Sequence, residues 1–102
     1  GLAIGRARSD GEGMTTATHL ILHGRVQGVF YRDWTVDTAR ALGITGWVRN
    51  LPAGTVEAHL EGEAAAIDRM IAAMRDGPPS ARVDRIDRSD AEPQGLASFE
   101  RR

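Results

Sequence analysis

The sequence predicts an α+β fold in which two helices cover one face of a four-stranded antiparallel sheet. Two segments show the periodicity of amphipathic helices, and shorter segments with two-residue alternation stand before, between and after them. The 102 residues are enough for one domain with a single two-layer core. Cysteine is absent, so this core has to stabilise the domain without disulfides.

Six segments carry these patterns, in the order strand, helix, strand, strand, helix, strand. They are Thr18–His23, Tyr31–Leu42, Ile44–Asn50, Thr55–Glu61, Glu63–Met74 and Arg82–Arg88. This βαββαβ order is typical of the ferredoxin-like sandwich, in which both helices lie on the same face of the sheet.

Alternation of apolar and polar residues defines the strands. In the first strand Leu20 and Leu22 share one face, and in the third strand the apolar side chains again point inward. We expect the polar residues of that third strand to point outward; they are Glu57, His59 and Glu61. In the fourth strand Val83 and Ile86 are three positions apart, which indicates a β-bulge. The tail, Ala97–Glu100, has the pattern of a short edge strand with Phe99 inward.

The helices are bounded by residues that favour their ends. Gly43 follows the first helix at the position of a C-cap glycine. The second helix is ended by Gly77–Pro79, because proline has no N–H to donate. Its apolar residues are spaced i, i+3, i+4 and i+7; they are Ile67, Met70, Ile71 and Met74.

Composition narrows the class of protein. The net charge is −1 and all 13 basic residues other than histidine are arginine, which argues against a general nucleic-acid surface. We find no apolar run of membrane-spanning length and no signal-peptide pattern, and therefore expect a cytoplasmic protein without a membrane partner. Gly1–Gly13 has almost no apolar pattern and precedes the first methionine, Met14. We expect residues 1–15 to be a tag remnant or disordered leader and 16–102 to be the domain; a functional arm is the alternative.

The segment Gly24–Arg32 has the build of an anion-binding loop between a strand and a helix. Gly24 and Gly28 allow the backbone to turn so that successive N–H groups point inward, and the N-terminus of the helix adds a partial positive charge. Arg32 in the first helical turn would bind a phosphate with a bidentate grip. The loop lacks the Gly-Lys-Ser/Thr ending and the third glycine of nucleotide-binding loops, which favours a small phosphate compound.

Two motifs together resemble the signature of the acylphosphatase family. Gly24–Arg32 matches the first motif and Gly46–Asn50 the second, at the spacing of the family, and the resemblance covers about residues 16 to 100. It implies the ferredoxin-like fold and the metal-independent hydrolysis of acyl phosphates, which are carboxyl-phosphate anhydrides, to a carboxylate and inorganic phosphate. The tail Ser98–Arg102 departs from the family by lacking its second apolar residue and terminal aromatic residue, so the extent of the last strand stays open.

The resemblance also implies roles for individual residues. Arg32 and Asn50 would be catalytic, with Arg32 on the phosphoryl oxygens and Asn50 on the attacking water. An amide suits this position, because its carbonyl accepts from water while its NH₂ donates to the phosphate. A phosphate oxygen of the substrate would take the proton of the water. The backbone N–H groups that would bind the phosphate belong to Arg25, Val26, Gln27, Gly28, Val29 and Phe30. Inorganic phosphate or sulfate would bind there as well.

Other interpretations of these residues remain open. Arg32 would also fit a surface arginine paired with Asp33 or Asp37, and Asn50 would also fit the turn that follows it. We expect Trp47 to pack in or beside the core rather than on a ligand. At the level of function, the alternative is a non-catalytic module that binds an anion or a protein. A third possibility is a domain that handles carbamoyl phosphate, since a similar domain begins larger hydrogenase maturation factors.

The histidines do not predict a metal site. His19 and His23 share a strand face but lie about 13 Å apart at the usual rise of a strand, which is too far to share an ion. His59 lies on the polar face of another strand, and we find no acidic residue at a ligand spacing. We therefore expect no metal. We also expect no cofactor and a monomeric enzyme.

Overall fold

A computed structural model describes residues 15–102. The predicted leader lies outside the described residues apart from Thr15, so that prediction is untested. The described chain forms five strands and two helices: β1 (Thr16–Arg25), α1 (Tyr31–Ala41), β2 (Thr45–Asn50), β3 (Val56–Gly62), α2 (Ala64–Asp76), β4 (Arg82–Ala91) and β5 (Phe99–Arg101). The six predicted elements are confirmed, with ends shifted by up to three residues. None of the helices in this range is long and apolar enough to cross a membrane.

The sheet has five strands in the order β4-β1-β3-β2-β5, so the predicted four-stranded antiparallel sheet is wrong in its number of strands. The four predicted strands pair antiparallel, whereas β5 pairs parallel with the outer edge of β2. Phe99 explains this addition, because its ring is 1% exposed and lies against Gly46 of β2. A side chain at Gly46 would collide with the carbonyl oxygen of His59, and glycine lets the strands and the ring approach closely.

The core lies between the two helices and one face of the sheet. From the sheet, Leu20, Leu22 and Val48 are fully buried, and they belong to the same apolar cluster as the buried residues of both helices. The buried positions of α2 are those of the predicted stripe, Ile67, Met70, Ile71 and Met74, and the buried positions of α1 are Tyr31, Thr35, Val36 and Ala39. The periodicity of the second helix in the sequence therefore identified its core face correctly.

The opposite face of the sheet is less exposed than the alternation in β3 predicts. His59 is 3% and Glu61 is 2% exposed, so the expectation that they point into solvent is wrong. Trp47 of β2 stacks on the ring of His59 at a centroid distance of 5.8 Å, and the backbone of Gln94 and Leu96 lies against Glu61. Trp47 is itself 8% exposed and packs on this face, outside the apolar cluster between the helices and the sheet.

The predicted bulge is present where β4 meets the end of β1. His23 pairs with Arg85 and Gly24 pairs with Val83, so Asp84 is the extra residue. Gly24 has a φ of 128°, and a Cβ there would lie 2.2 Å from the carbonyl oxygen of Arg82. Gly24 and Arg25 therefore still belong to β1, and the connection to α1 is shorter than the sequence indicated.

Candidate active site

The loop that joins β1 to α1 presents its backbone rather than its side chains. Val26 and Val29 are buried and anchor it in the core, whereas Gly28 and Phe30 adopt positive φ angles of 73° and 61°. Positive φ is uncommon for a phenylalanine, and its ring is 79% exposed. Within residues 15–102, the N–H groups of residues 27–30 have neither a backbone nor a side-chain acceptor, and Phe30 makes no side-chain cap for α1. The loop and the helix N-terminus thus offer a series of free donors.

Gln27 fixes this loop to the turn between β2 and β3. Its side-chain Nε2 donates to the carbonyl oxygens of Leu51 and Thr55, both at 2.8 Å. The sequence motif indicated a role only for the backbone of Gln27. Its amide side chain joins the loop to the segment that directly follows Asn50, so the two sequence motifs are tied together by hydrogen bonds.

A cavity of about 270 Å³ opens between the loop, the start of α1, the end of β2 and β5. Its lining residues are Val26, Gly28, Phe30, Tyr31, Arg32, Asp33, Asn50 and Arg101. Arg32 and Asn50 therefore share one cavity, as we expect for a catalytic pair. Half of the predicted loop residues line it as well, whereas Arg25, Gln27 and Val29 do not.

The Arg32 guanidinium is held by the residue that follows β5. Its Nη1 donates to the carbonyl oxygen of Arg102 at 2.9 Å. Among residues 15–102, no aspartate or glutamate side chain forms an ion pair with Arg32, and Asp33 pairs with Arg101 instead. The alternative in which Arg32 pairs with Asp33 or Asp37 is therefore wrong. Its remaining N–H groups are available at the cavity.

Asn50 ends β2 with a buried side-chain oxygen, Oδ1, that has no hydrogen-bond partner. Such an atom costs about 1–3 kcal/mol and calls for an explanation. The turn after Asn50 is closed by backbone bonds, from Leu51 to Thr55 and from Gly54 to Leu51. The side chain thus takes no part in closing that turn, and it lines the cavity instead. An acceptor that lacks a donor is what a site for an ordered water requires.

Two further charged residues line the cavity: Arg101, for which the sequence indicated no role, and Asp33, which the sequence indicated only as a possible partner of Arg32. The Nη1 of Arg101 lies 2.8 Å from Oδ1 of Asp33, across 68 positions of the chain. The parallel pairing of β5 with β2 brings them together, and no local pattern in the sequence indicates that pairing.

The histidines each pair with one carboxylate. His19 contacts Glu57, His23 contacts Asp87 and His59 contacts Glu61, at 2.7, 2.9 and 2.6 Å between the paired atoms. Among residues 15–102 there is no group of three or more histidine, cysteine, aspartate or glutamate side chains that could hold a metal ion. The expectation of a metal-free enzyme remains a prediction.

Comparison with known proteins agrees with this geometry. The sequence profile of the acylphosphatase family matches residues 18–101. A relative named acylphosphatase from Acidiphilium cryptum is 50% identical over 86 residues, which cover 84% of this chain and 94% of the relative. One from Rhodospirillum rubrum is 60% identical over 63 residues, covering 62% and 69%. The solved structure of an acylphosphatase from Coxiella burnetii superposes with a TM-score of 0.84 at 34% identity, covering 89% of this chain and 96% of that one. The chain belongs to the acylphosphatase family, whose members are hydrolases that act on acid anhydrides.

Proposed function

We propose that this cavity hydrolyses acyl phosphates to a carboxylate and inorganic phosphate. The observation that carries the proposal is the buried, unpartnered Oδ1 of Asn50, a residue that lines the same cavity as Arg32. A module that only binds anions needs the guanidinium and the free N–H groups. It has no use for a buried acceptor without a donor, which an attacking water would satisfy.

The phosphoryl group would bind between the loop and Arg32. The N–H groups of residues 27–30 and the N-terminus of α1 supply donors and a partial positive charge. Arg32 adds charge-assisted hydrogen bonds, and its contact with Arg102 restricts the guanidinium before substrate arrives. Such fixed donors stabilise the charge on the transferring phosphoryl group without reorganisation.

The chemistry then needs a positioned water. Its oxygen attacks phosphorus, the bond between phosphorus and the carboxylate oxygen breaks, and the carboxylate leaves with the bonding electrons. One proton of the water passes to an oxygen of the substrate phosphate. Asn50 accepts a hydrogen bond from the water and aims it. Tyr31 is not the base, because its hydroxyl donates to the Met74 carbonyl oxygen at 2.6 Å and burial raises its pKa.

The finer parts of the proposal are a monomeric enzyme and a cytoplasmic location. Sulfate or inorganic phosphate would occupy the loop in the absence of substrate. No metal enters the proposal, because Asp33 is the one carboxylate among the described residues that line the cavity, and it is paired with Arg101.

The test is the release of phosphate from benzoyl phosphate by the purified protein, before and after dialysis against excess EDTA. We expect turnover in both cases, and much slower reaction with p-nitrophenyl phosphate, an ester rather than an anhydride. Binding of inorganic phosphate without turnover of any acyl phosphate would support the non-catalytic module. Complete loss of turnover on chelation, restored by one divalent ion, would contradict the metal-independent mechanism.

A further inference from the structure

Asp33 introduces an electrostatic problem at the cavity. It follows Arg32 in the first turn of α1, and its carboxylate lines the same cavity. A carboxylate at this position interacts favourably with the N-terminus of the helix. It also repels a dianionic phosphoryl group, because like charges near a partly desolvated site oppose each other over several ångströms.

Arg101 faces this carboxylate from the other side of the cavity. Its Nη1 lies 2.8 Å from Oδ1 of Asp33, and both side chains are about half exposed, at 52% and 56%. An ion pair with that exposure stabilises a fold by little. Its charge nevertheless acts at the cavity, which both residues line.

The sheet determines the position of Arg101. β5 pairs in register with β2, so that Arg101 lies opposite Val48, and the N–H of Arg102 donates to the Val48 carbonyl oxygen at 2.8 Å. Phe99 anchors the other end of the strand in the core. The parallel pairing of β5 with β2 therefore places the guanidinium-bearing residue Arg101 at the cavity.

We propose that Arg101 is a positioning residue that neutralises Asp33, and that this neutralisation allows the cavity to bind a dianionic phosphoryl group. The inference rests on the proposed function for its substrate. Arg101 acts on phosphate affinity through Asp33, and it does not act on the bond-breaking step. Removing Arg101 therefore raises KM and weakens inorganic phosphate binding, with little change in kcat.

The test is a double-mutant cycle of Arg101→Gln, Asp33→Asn and the double variant, with Arg101→Lys as the charge-preserving control. Affinity for inorganic phosphate is measured by calorimetry, and kcat and KM with benzoyl phosphate. At low ionic strength we expect Arg101→Gln to lower the affinity for inorganic phosphate and to raise KM, each about three- to ten-fold. Asp33→Asn should bind phosphate at least as tightly as the wild type. The double variant should return to within about two-fold of the wild type, and Arg101→Lys should keep most of its affinity.

The results that would contradict this role of Arg101 differ from the expected result. If the pair only tethers β5, Asp33→Asn and Arg101→Gln will weaken binding alike. If Arg101 contacts the phosphate directly, the double variant will stay as weak as Arg101→Gln. Either result overturns the inference, as does a wild-type protein that binds no phosphate. Added KCl up to about 0.3 M should shrink the Arg101→Gln effect, since it screens exposed charges. A wild type that binds phosphate without hydrolysing benzoyl phosphate contradicts the proposed function alone, and the calorimetric cycle still decides the role of Arg101.

Discussion

Asn50 and Glu61 are polar residues on the neighbouring strands β2 and β3, and their hydrogen bonding is opposite. The buried Oδ1 of Asn50 has no partner, whereas the carboxylate of Glu61 accepts three hydrogen bonds. These come from the His59 ring at 2.6 Å and from the N–H groups of Gln94 and Leu96 at 2.5 and 3.2 Å. Glu61 is satisfied by the protein and so contributes to the fold. Asn50 is left open, as are the loop N–H groups beside it, and these groups are available to a ligand.

The comparison separates residues that act on turnover from residues that act on stability. Glu61 ties the segment before β5 to β3, and Arg102, the residue after β5, supplies the carbonyl oxygen that holds Arg32. We call Glu61 and its three hydrogen-bond donors the saturated region, and Asn50, Arg32 and the loop N–H groups the open region. The saturated region therefore helps to position the open region without contacting the ligand. If this division is correct, substitutions in the cavity lower rate with little loss of stability, and substitutions at Glu61 do the reverse.

The largest expected effect is that of Arg32→Ala. Loss of an arginine that binds the transferring phosphoryl group lowers kcat/KM on the order of 10³-fold or more. Arg32→Lys should remain poor, because an ammonium group cannot reproduce the planar fork of donors. The measurement is phosphate release from benzoyl phosphate, with thermal unfolding of each variant as the check on folding.

Arg40→Ala is the matched control for Arg32. Arg40 also lies on α1 and also donates to a main-chain carbonyl oxygen, that of Phe99 in β5 at 3.3 Å, but it does not line the cavity. We expect Arg40→Ala to keep near wild-type turnover. Wild-type activity in Arg32→Lys, or an equal loss in Arg40→Ala, would show that the guanidinium acts through the contact with β5.

The second prediction concerns the hydrogen bonds of Glu61. Glu61→Ala removes a buried acceptor and leaves three donors without a partner, which costs about 3 kcal/mol of unfolding free energy. Glu57→Ala, on the same strand, is the control, because its carboxylate meets His19 and Arg49 nearer the surface and its loss costs about 1 kcal/mol or less. Urea unfolding measures both. Equal costs would show that saturation of Glu61 does not matter.

The contribution of the Glu61 carboxylate to stability should depend on pH. Burial alone would raise the pKa of Glu61, but the bonds from Gln94, His59 and Leu96 outweigh it and hold the pKa below its ordinary value of 4.5. A lowered pKa in the folded state adds stability that is complete above the unfolded value and is lost as the pH falls through the folded one. The stability gap between wild type and Glu61→Gln should therefore narrow as the pH falls below about 4.5. A constant gap would contradict this assignment.

The sequence predicted the open region better than the saturated one. The two motifs are short and local, and they singled out Arg32 and Asn50, which line one cavity. The catalytic roles of the two residues remain predictions. The burial of Glu61 was missed because its cover comes from Gln94 and Leu96, 33 and 35 residues later in the chain. Two-residue alternation assigns a side chain to a face of a sheet, but it cannot show what covers that face.

The same limit applies to the C-terminal strand. Phe99 could be recognised as an inward-facing residue, but its parallel pairing with β2 depends on an exposed strand edge and on the absence of a side chain at Gly46. Arg101 reaches the cavity only through this pairing. Gly24 was misassigned for a related reason: its requirement for glycine comes from the close approach of Arg82 on β4, and not from the loop.

The next prediction, with a smaller expected effect, concerns Asn50→Ala. We expect kcat to fall about 10²-fold, equivalent to about 2.7 kcal/mol, because the water loses its acceptor while the loop and Arg32 still bind the anion. Stability should change little, since the variant removes a buried oxygen that had no partner. The measurements are kcat with benzoyl phosphate and competitive inhibition by inorganic phosphate. A variant that loses turnover and phosphate affinity together would instead indicate a structural role.

The smallest expected effect is the stabilisation of the free protein by inorganic phosphate. If the N–H groups of residues 27–30 and Arg32 form a site that exists before the ligand arrives, phosphate binds the folded state and raises its stability by mass action. At a concentration ten times its Kd the gain is about 1.4 kcal/mol, which moves the melting temperature of a domain of this size by several degrees. Chloride at matched ionic strength should do much less, because screening alone does not use directed donors. Arg32→Ala should lose most of the shift, whereas Asn50→Ala should keep it, because only Arg32 contributes charge-assisted bonds to the anion. Equal shifts with phosphate and chloride would show that the loop is an ordinary turn and that its free donors are satisfied by solvent.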